Sequence, residues 1–163
     1  MPLTMPEELL LLMLDETSGR IIDHATPAGD DALIAAILGE LALAGRIDAG
    51  TRPLRVLDAA PLGDPELDAV LHRLAAAPAP QEAQGWIAQL ATEAPALRDR
   101  FFARLVAHGI LREEDSRFLW VFPERRYPAV SGREERAVKA RLLGVIFEGA
   151  APAPRDRLLL GLA

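Results

Sequence analysis

The chain has 163 residues, half of them apolar, so it is long enough for one domain with a substantial core and too apolar to be disordered throughout. Because it has no cysteine, disulfides, thiolate metal sites and a cysteine nucleophile are excluded. The net charge of −6 is uneven: residues 1–97 hold five basic and fifteen acidic residues, whereas residues 98–141 hold eleven basic and seven acidic ones.

The first predicted element is a short apolar helix over about residues 5–15, which Thr4 and Glu7 begin as a capping box. The segment lacks the basic start of a secretion signal, and no window of the chain is apolar for long enough to predict a membrane-spanning helix. These features fit a cytoplasmic protein. A second helix is predicted over about residues 30–44, with Gly45 as its stop.

A hairpin follows over residues 46–57, where two short apolar runs flank a glycine turn. Asp64 and Pro65 then have the order of an N-cap and a first helical position, so they predict the start of a third helix. The Ala-Pro segment 75–80 is predicted to be a stiff connection. A further helix is expected over about residues 81–92.

The next helix is predicted over about residues 95–108, with Gly109 as its stop. A short strand at residues 110–112, an acidic turn at Glu113–Asp115 and an aromatic strand at residues 118–122 are expected after it. The pattern repeats the earlier order of a helix, a glycine stop and a hairpin.

A final pair of helices is predicted over residues 132–148 and 154–162. The fold class is therefore mainly α, a helical bundle with two small β-hairpins and winged-helix-like repeats of a helix plus a hairpin. We expect a single domain over residues 1–163.

Half of the eight aromatic residues lie within ten positions. On a strand, Phe118, Trp120 and Phe122 project from one face, and Arg125 and Arg126 follow the strand. Rings beside guanidinium groups suit the headgroup boundary of a membrane, where rings sit among acyl tails and cations meet phosphates. They suit equally a core strand with charged ends, or a seam between two copies of the chain.

The helix at 95–108 carries a broad apolar arc with Arg98 inside it, and Arg100 and Arg104 lie on the other side. An arginine within such an arc requires a carboxylate, an anionic ligand or a route to water. Arginine suits phosphate because its planar fork donates two parallel hydrogen bonds.

Nothing in the sequence predicts an enzyme, a metal site or a cofactor. His24, His72 and His108 are far apart, and no nucleotide-binding, zinc-protease or serine-hydrolase motif is present. The charge asymmetry instead predicts either orientation toward an anionic partner or helices solvated by the charges available.

Seven phrases in order carry a family resemblance: Leu3 to Arg20, Glu40 to Ile47, Ala60 to Leu71, Gly85 to Leu90, Leu97 to Leu111, Phe118 to Pro128 and Pro154 to Ala163. Together they resemble the Golgi phosphoprotein 3 family, including its bacterial branch, over essentially the whole chain. The resemblance implies a mostly helical fold with a hydrophobic hairpin. It also implies further helices beyond the last residue, since family members usually continue there.

In eukaryotic members the resemblance implies binding of phosphatidylinositol 4-phosphate and an adaptor role in retaining glycosyltransferases. The family hairpin, linked to membrane insertion and self-association, corresponds to residues 118–128. Of the four residues of the family's phosphoinositide pocket, Arg98 matches. The other positions fall near Ala25, Ile34 and Pro95, which lack the expected tryptophan or arginine.

These observations predict a peripheral membrane protein without enzymatic activity that binds anionic or phosphoinositide-type headgroups. Arg98 and Arg100 are expected to bind phosphate, and Phe118, Trp120 and Phe122 to insert. Two alternatives remain: a winged-helix nucleic-acid binder, which the negative net charge opposes, and a dimerisation module that uses the hairpin.

Overall fold

The computed structural model describes residues 2–22, 27–118 and 122–162. Within these ranges the helices are α1 Met5–Leu12, α2 Pro27–Leu43, α3 Pro65–Ala75, α4 Ala83–Leu90, α5 Ala94–Ala107, α6 Arg133–Glu148 and α7 Pro154–Leu162. Two antiparallel hairpins pair β1 Ile47–Asp48 with β2 Arg55–Val56, and β3 Glu114–Phe118 with β4 Phe122–Arg126. The predicted fold class, mainly α with small hairpins, is confirmed.

The helix starts follow the local chemistry of the sequence. At α1 the backbone N–H of Thr4 donates to the Glu7 carboxylate at 2.7 Å, which closes the predicted capping box. At α3 the Asp64 carboxylate accepts the N–H groups of Glu66 and Leu67, each at 3.1 Å. The first helix ends at Leu12, three residues before its predicted end.

The two repeats of a helix and a hairpin share the same helix ending. Gly45 after α2 and Gly109 after α5 have φ angles of 69° and 70°. The residue after each glycine donates its N–H to a helix carbonyl five residues earlier, at 2.9 Å in the first repeat and 3.0 Å in the second. This is the Schellman arrangement, which turns the chain sharply into the hairpin that follows.

The second hairpin differs from its prediction. Glu114 and Asp115 belong to β3 rather than to an acidic turn, and the aromatic run is not one continuous strand, because Phe118 ends β3 and Phe122 begins β4. The register explains the difference, since it pairs Glu114 with Arg126 and Asp115 with Arg125. Opposite charges at paired positions favour that ladder over an acidic turn.

The main core lies where α5 crosses α1 and α2. The predicted apolar arc of α5 is buried there, with Phe101, Phe102 and Leu105 fully enclosed. A smaller apolar cluster joins α1 and α2 to α6 and α7, with Leu9, Val138 and Leu159 among its buried members. Both clusters depend on α1, so the short first helix is central to the fold.

Candidate functional site

The aromatic end of the second hairpin is the name used here for residues 118–122, of which Phe118 and Phe122 are described and form the last rung of the ladder. Five residue pairs run from Glu114 with Arg126 to Phe118 with Phe122, a length of about 13 Å at the usual rise of about 3.3 Å per residue. Trp120 lies outside the described residues. Among the described residues the two strands pack mainly on each other, and no helix packs extensively against either.

The opposite end of this hairpin is attached to the body of the protein. The buried ring of Tyr127 stacks on Phe102 of α5, with ring centroids 4.1 Å apart and planes within 5° of each other. The Tyr127 N–H donates to the carbonyl of Gly19 at 2.7 Å. The hairpin base is therefore held both by a core side chain and by the loop after α1.

Gly19 permits that attachment because the two backbones almost touch. Its φ angle is +64°, and a Cβ atom placed on it lies 2.6 Å from the Tyr127 carbonyl carbon and 2.7 Å from Pro128 Cα. Only glycine fits this approach without moving backbone.

The arginines that follow the aromatic end are close to acids. Arg125 is exposed and lies 3.7 Å from the carboxylates of both Asp99 and Glu113. Its side-chain hydrogen bond with Tyr127 is the main cause that raises the pKa of Arg125. Arg126 is half-buried and lies opposite Glu114 in the backbone ladder, while the Glu114 carboxylate forms an ion pair with Arg112 at 2.8 Å. The hairpin stem is thus mixed in charge rather than strongly cationic.

The structure separates the two arginines predicted to bind phosphate. Arg98 Nη1 donates to Asp30 Oδ1 at 2.9 Å, so a carboxylate satisfies the arginine that the sequence places in the apolar arc. Arg100 is exposed and forms no ion pair with another described residue. Residues two apart on a helix face different directions, so Arg98 and Arg100 do not converge on one ligand position.

Arg104, which sequence reasoning did not select, is the most heavily paired arginine of α5. Its guanidinium contacts Glu7 at 2.8 Å, Asp64 at 2.6 Å and Glu66 at 3.2 Å, and it lies over the ring of Phe101. Burial lowers the pKa of Arg104, but the neighbouring carboxylates of Glu7 and Asp64 outweigh that effect and leave the pKa raised.

The sequence indicates other roles for the acidic residues that contact Arg104. Glu7 completes a capping box, and Asp64 and Glu66 begin a helix. The acids at these two helix starts lie 38 to 97 positions before Arg104. No spacing in the sequence indicates that they meet it, because the meeting depends on how α1, α3 and α5 pack. The helix-start acids therefore cap their own helices and also fix α5.

The same pairing across the chain accounts for much of the uneven charge distribution. Arg141 of α6 contacts the buried Glu8 at 2.9 Å and also pairs with Asp156. Lys139 pairs with Glu16 and with the buried Glu135, and these carboxylates raise its pKa against the effect of burial. The acidic first part of the sequence thus neutralises basic side chains of the later part within the monomer.

No helix in the described ranges is both long and apolar enough to cross a membrane. No group of three or more histidine, aspartate or glutamate side chains in the same ranges is arranged to hold a metal ion.

Comparison with known proteins identifies a family. A search of curated proteins found no match. The family model for Golgi phosphoprotein 3 (GPP34) matches residues 5–163, nearly the whole chain, and the helices and the attached hairpin described above lie within that match. The chain belongs to the Golgi phosphoprotein 3 family.

Proposed function

We propose that this protein is a non-enzymatic peripheral membrane protein, which docks on anionic lipid surfaces by inserting the aromatic end of its second hairpin. The observation that carries the proposal is the register. Phe118 pairs with Phe122 at the last rung, so these two aromatic residues lie at the end of the ladder farthest from the anchored base. Family membership supports the proposal, because eukaryotic members bind a phosphoinositide on membranes.

The energetics favour weak and reversible docking. Full burial of a Phe-sized side chain stabilises by roughly 2 to 3 kcal/mol, so three partly inserted rings contribute at most about 5 kcal/mol. Each arginine near an anionic surface adds about 1 kcal/mol. Arg112 and Arg125 are exposed cations beside or within the hairpin strands, Arg100 is exposed on α5, and Arg98 and Arg126 are less accessible.

Recognition of a general anionic surface fits these side chains better than a pocket for one phosphoinositide. Three of the four pocket positions of eukaryotic members lack the matching residue, and Arg98 is already paired with Asp30. We therefore propose phosphatidylserine-type or mixed anionic membranes as ligands, with charge rather than headgroup shape as the main determinant.

The nucleic-acid alternative loses support from the same ion pairs. A reader helix needs arginines that are free to neutralise phosphates. On α5, Arg98 is held by Asp30 and Arg104 by three carboxylates, which leaves Arg100 as the arginine of this helix without a pairing partner among the described residues.

Vesicle flotation tests the proposal with a matched pair of variants. We expect Trp120→Asp to weaken binding to phosphatidylserine-containing vesicles at least about tenfold, the equivalent of about 1.4 kcal/mol, because a carboxylate replaces an inserted ring. Phe147→Asp is the control, since Phe147 is an aromatic residue on α6 that is 79% exposed and lies outside the proposed surface. It should bind like the wild type.

The proposal is wrong if Trp120→Asp, with its circular dichroism and unfolding midpoint unchanged, floats to the same extent as the wild type. Equal losses in the two variants would indicate general charge repulsion instead of insertion.

Self-association through residues 118–128 is a second proposed use of the same hairpin. When the protein is not on a membrane, the aromatic rings of this hairpin are unfavourably exposed to water. A second copy of the chain supplies an apolar surface that buries them. Light scattering across a concentration series should show mass rising with concentration for the wild type but not for Trp120→Asp.

A further inference from the structure

A cavity of about 450 Å³ lies between the first hairpin and the Ala-Pro segment 75–80. Its wall is completed by the end of α3 and by Trp86 of α4. The N–H of Leu54 donates to the carbonyl of Gln81 at 3.0 Å, so a backbone hydrogen bond joins the two sides of the cavity. The volume falls within the range of about 300 to 1,000 Å³ that is typical of small-molecule sites.

Most of the cavity wall is apolar and firmly held. Leu54, Leu74 and Trp86 belong to the main core and are almost completely buried. Pro78 and Pro80 add apolar surface from a backbone that their rings make stiff. A ligand therefore meets a wall that needs little ordering when it binds.

Trp86 carries an indole N–H that has no acceptor within the described ranges. The residue is 6% exposed, and Nε1 donates to no residue there. Nε1 is also not among the buried polar atoms without a partner, so it keeps contact with solvent. Because an enclosed tryptophan usually finds a hydrogen-bond partner for this group, an open indole donor on a cavity wall is a position for a ligand's acceptor.

Arg55 supplies positive charge to the same cavity. Its side chain is exposed, and it is the one ionisable residue among the described residues of the wall. Asp48 lies opposite Arg55 in the strand ladder, but its carboxylate accepts the N–H of Gly50 at 3.0 Å and forms no ion pair with Arg55. No other described residue forms an ion pair with Arg55 either. Its charge is therefore available to a ligand.

We propose that this cavity binds a small carboxylate with an apolar body. The carboxylate accepts the N–H of Trp86 and pairs with the guanidinium of Arg55, since both groups line one cavity. The apolar part of the ligand lies on Leu54 and Leu74. A monoanion matches the single positive charge of the wall, whereas a phosphate dianion would bring one charge without a partner against an apolar surface.

Indole proton resonances test the proposal on the full chain. The chain has two tryptophans, so Trp120→Phe assigns the Trp86 signal by removing the other one. We expect 4-phenylbutyrate and octanoate to shift the Trp86 signal with a dissociation constant of about 1 to 10 mM, as is usual for ligands of this size. 4-Phenylbutyramide has the same apolar body without the charge and should bind at least about fivefold more weakly.

Two neighbouring arginines provide a matched pair of variants. Arg52 and Arg55 are both exposed, and neither forms an ion pair with a described residue, but only Arg55 lines the cavity. Arg55→Gln should weaken 4-phenylbutyrate binding at least about fivefold, because the carboxylate loses its counter-charge. Arg52→Gln should change it by less than about twofold, since solvent screens a charge outside the site.

Each other outcome overturns a stated part of the proposal. If neither acid shifts the Trp86 signal in a saturable way, the cavity is not a carboxylate site. A saturable shift confined to the Trp120 signal has the same meaning and places the acids at the second hairpin instead. Equal affinities for the acid and the amide overturn the role of the charge, and equal losses in the two arginine variants overturn the pairing with Arg55.

Discussion

Replacing Arg104 with methionine is expected to lower the free energy of unfolding by about 3 to 5 kcal/mol, the usual cost of removing one partner of a buried ion pair. The variant keeps most of the side-chain volume and leaves three carboxylates without their shared cation. Glu7 determines the size of the effect. Its side chain is only 4% exposed, so it has little access to water. Asp64 and Glu66 retain more exposure and contribute less. Urea denaturation followed by circular dichroism measures the change.

The control for this variant lies on the same helix. Arg100→Met changes the same residue type at an exposed position, so its unfolding free energy should stay within about 0.5 kcal/mol of the wild type. Adding Glu7→Gln to Arg104→Met should restore part of the lost stability, because it removes the most buried uncompensated charge. If Arg104→Met and Arg100→Met are equally stable, the carboxylates around Arg104 contribute nothing measurable to the free energy of unfolding.

Replacing Gly19 with alanine is expected to lower the free energy of unfolding by about 3 kcal/mol or more. About 1 to 2 kcal/mol comes from placing a side chain at a positive φ angle. The rest comes from steric conflict, since the new Cβ meets the backbone of Tyr127 and Pro128 at 2.7 Å or less. These atoms are backbone and cannot rotate away. The hairpin base must therefore move off the loop that holds it.

Gly45→Ala is the matched control for this variant. Gly45 has nearly the same φ angle, +69°, but nothing lies within 4 Å of a Cβ placed on it. Its alanine variant should lose only the conformational part, about 1 to 2 kcal/mol. Hydrogen exchange should show the Tyr127 amide losing protection in Gly19→Ala but not in Gly45→Ala. Equal losses of stability in the two variants would contradict the close approach.

The helix starts and stops that carry capping residues or glycines were predictable because their chemistry is local. Thr4, Asp64 and the glycines after α2 and α5 act through bonds within a few residues, and a sequence displays such spacings directly. The repeat of a helix and a hairpin was predictable for the same reason. The buried apolar face of α5 was predictable from the helical spacing of its apolar residues alone.

The position of the aromatic end and the pairing of the arginines were not predictable in this way. Alternation suggested one strand through residues 118–122, whereas the register of Glu114 with Arg126 divides that run between two strands. The partners of Arg98 and Arg104 come from helices distant in sequence. A charge count along the chain cannot distinguish a free arginine from one neutralised by the fold, so the basic excess at 98–141 overstated the cationic surface.

The ion pairs between early and late parts of the chain bear on where the protein can be cut. The Ala-Pro segment 75–80 looks by composition like a natural boundary between two halves. Yet Glu7, Glu8 and Asp30 lie before it, and their arginine partners all lie after it. A fragment ending there would expose carboxylates that are buried or half-buried in the whole protein. The complementary fragment would contain the arginines that normally pair with them. Neither piece is expected to fold alone, whereas the two together are expected to reassemble by the mutual attraction of their opposite charges.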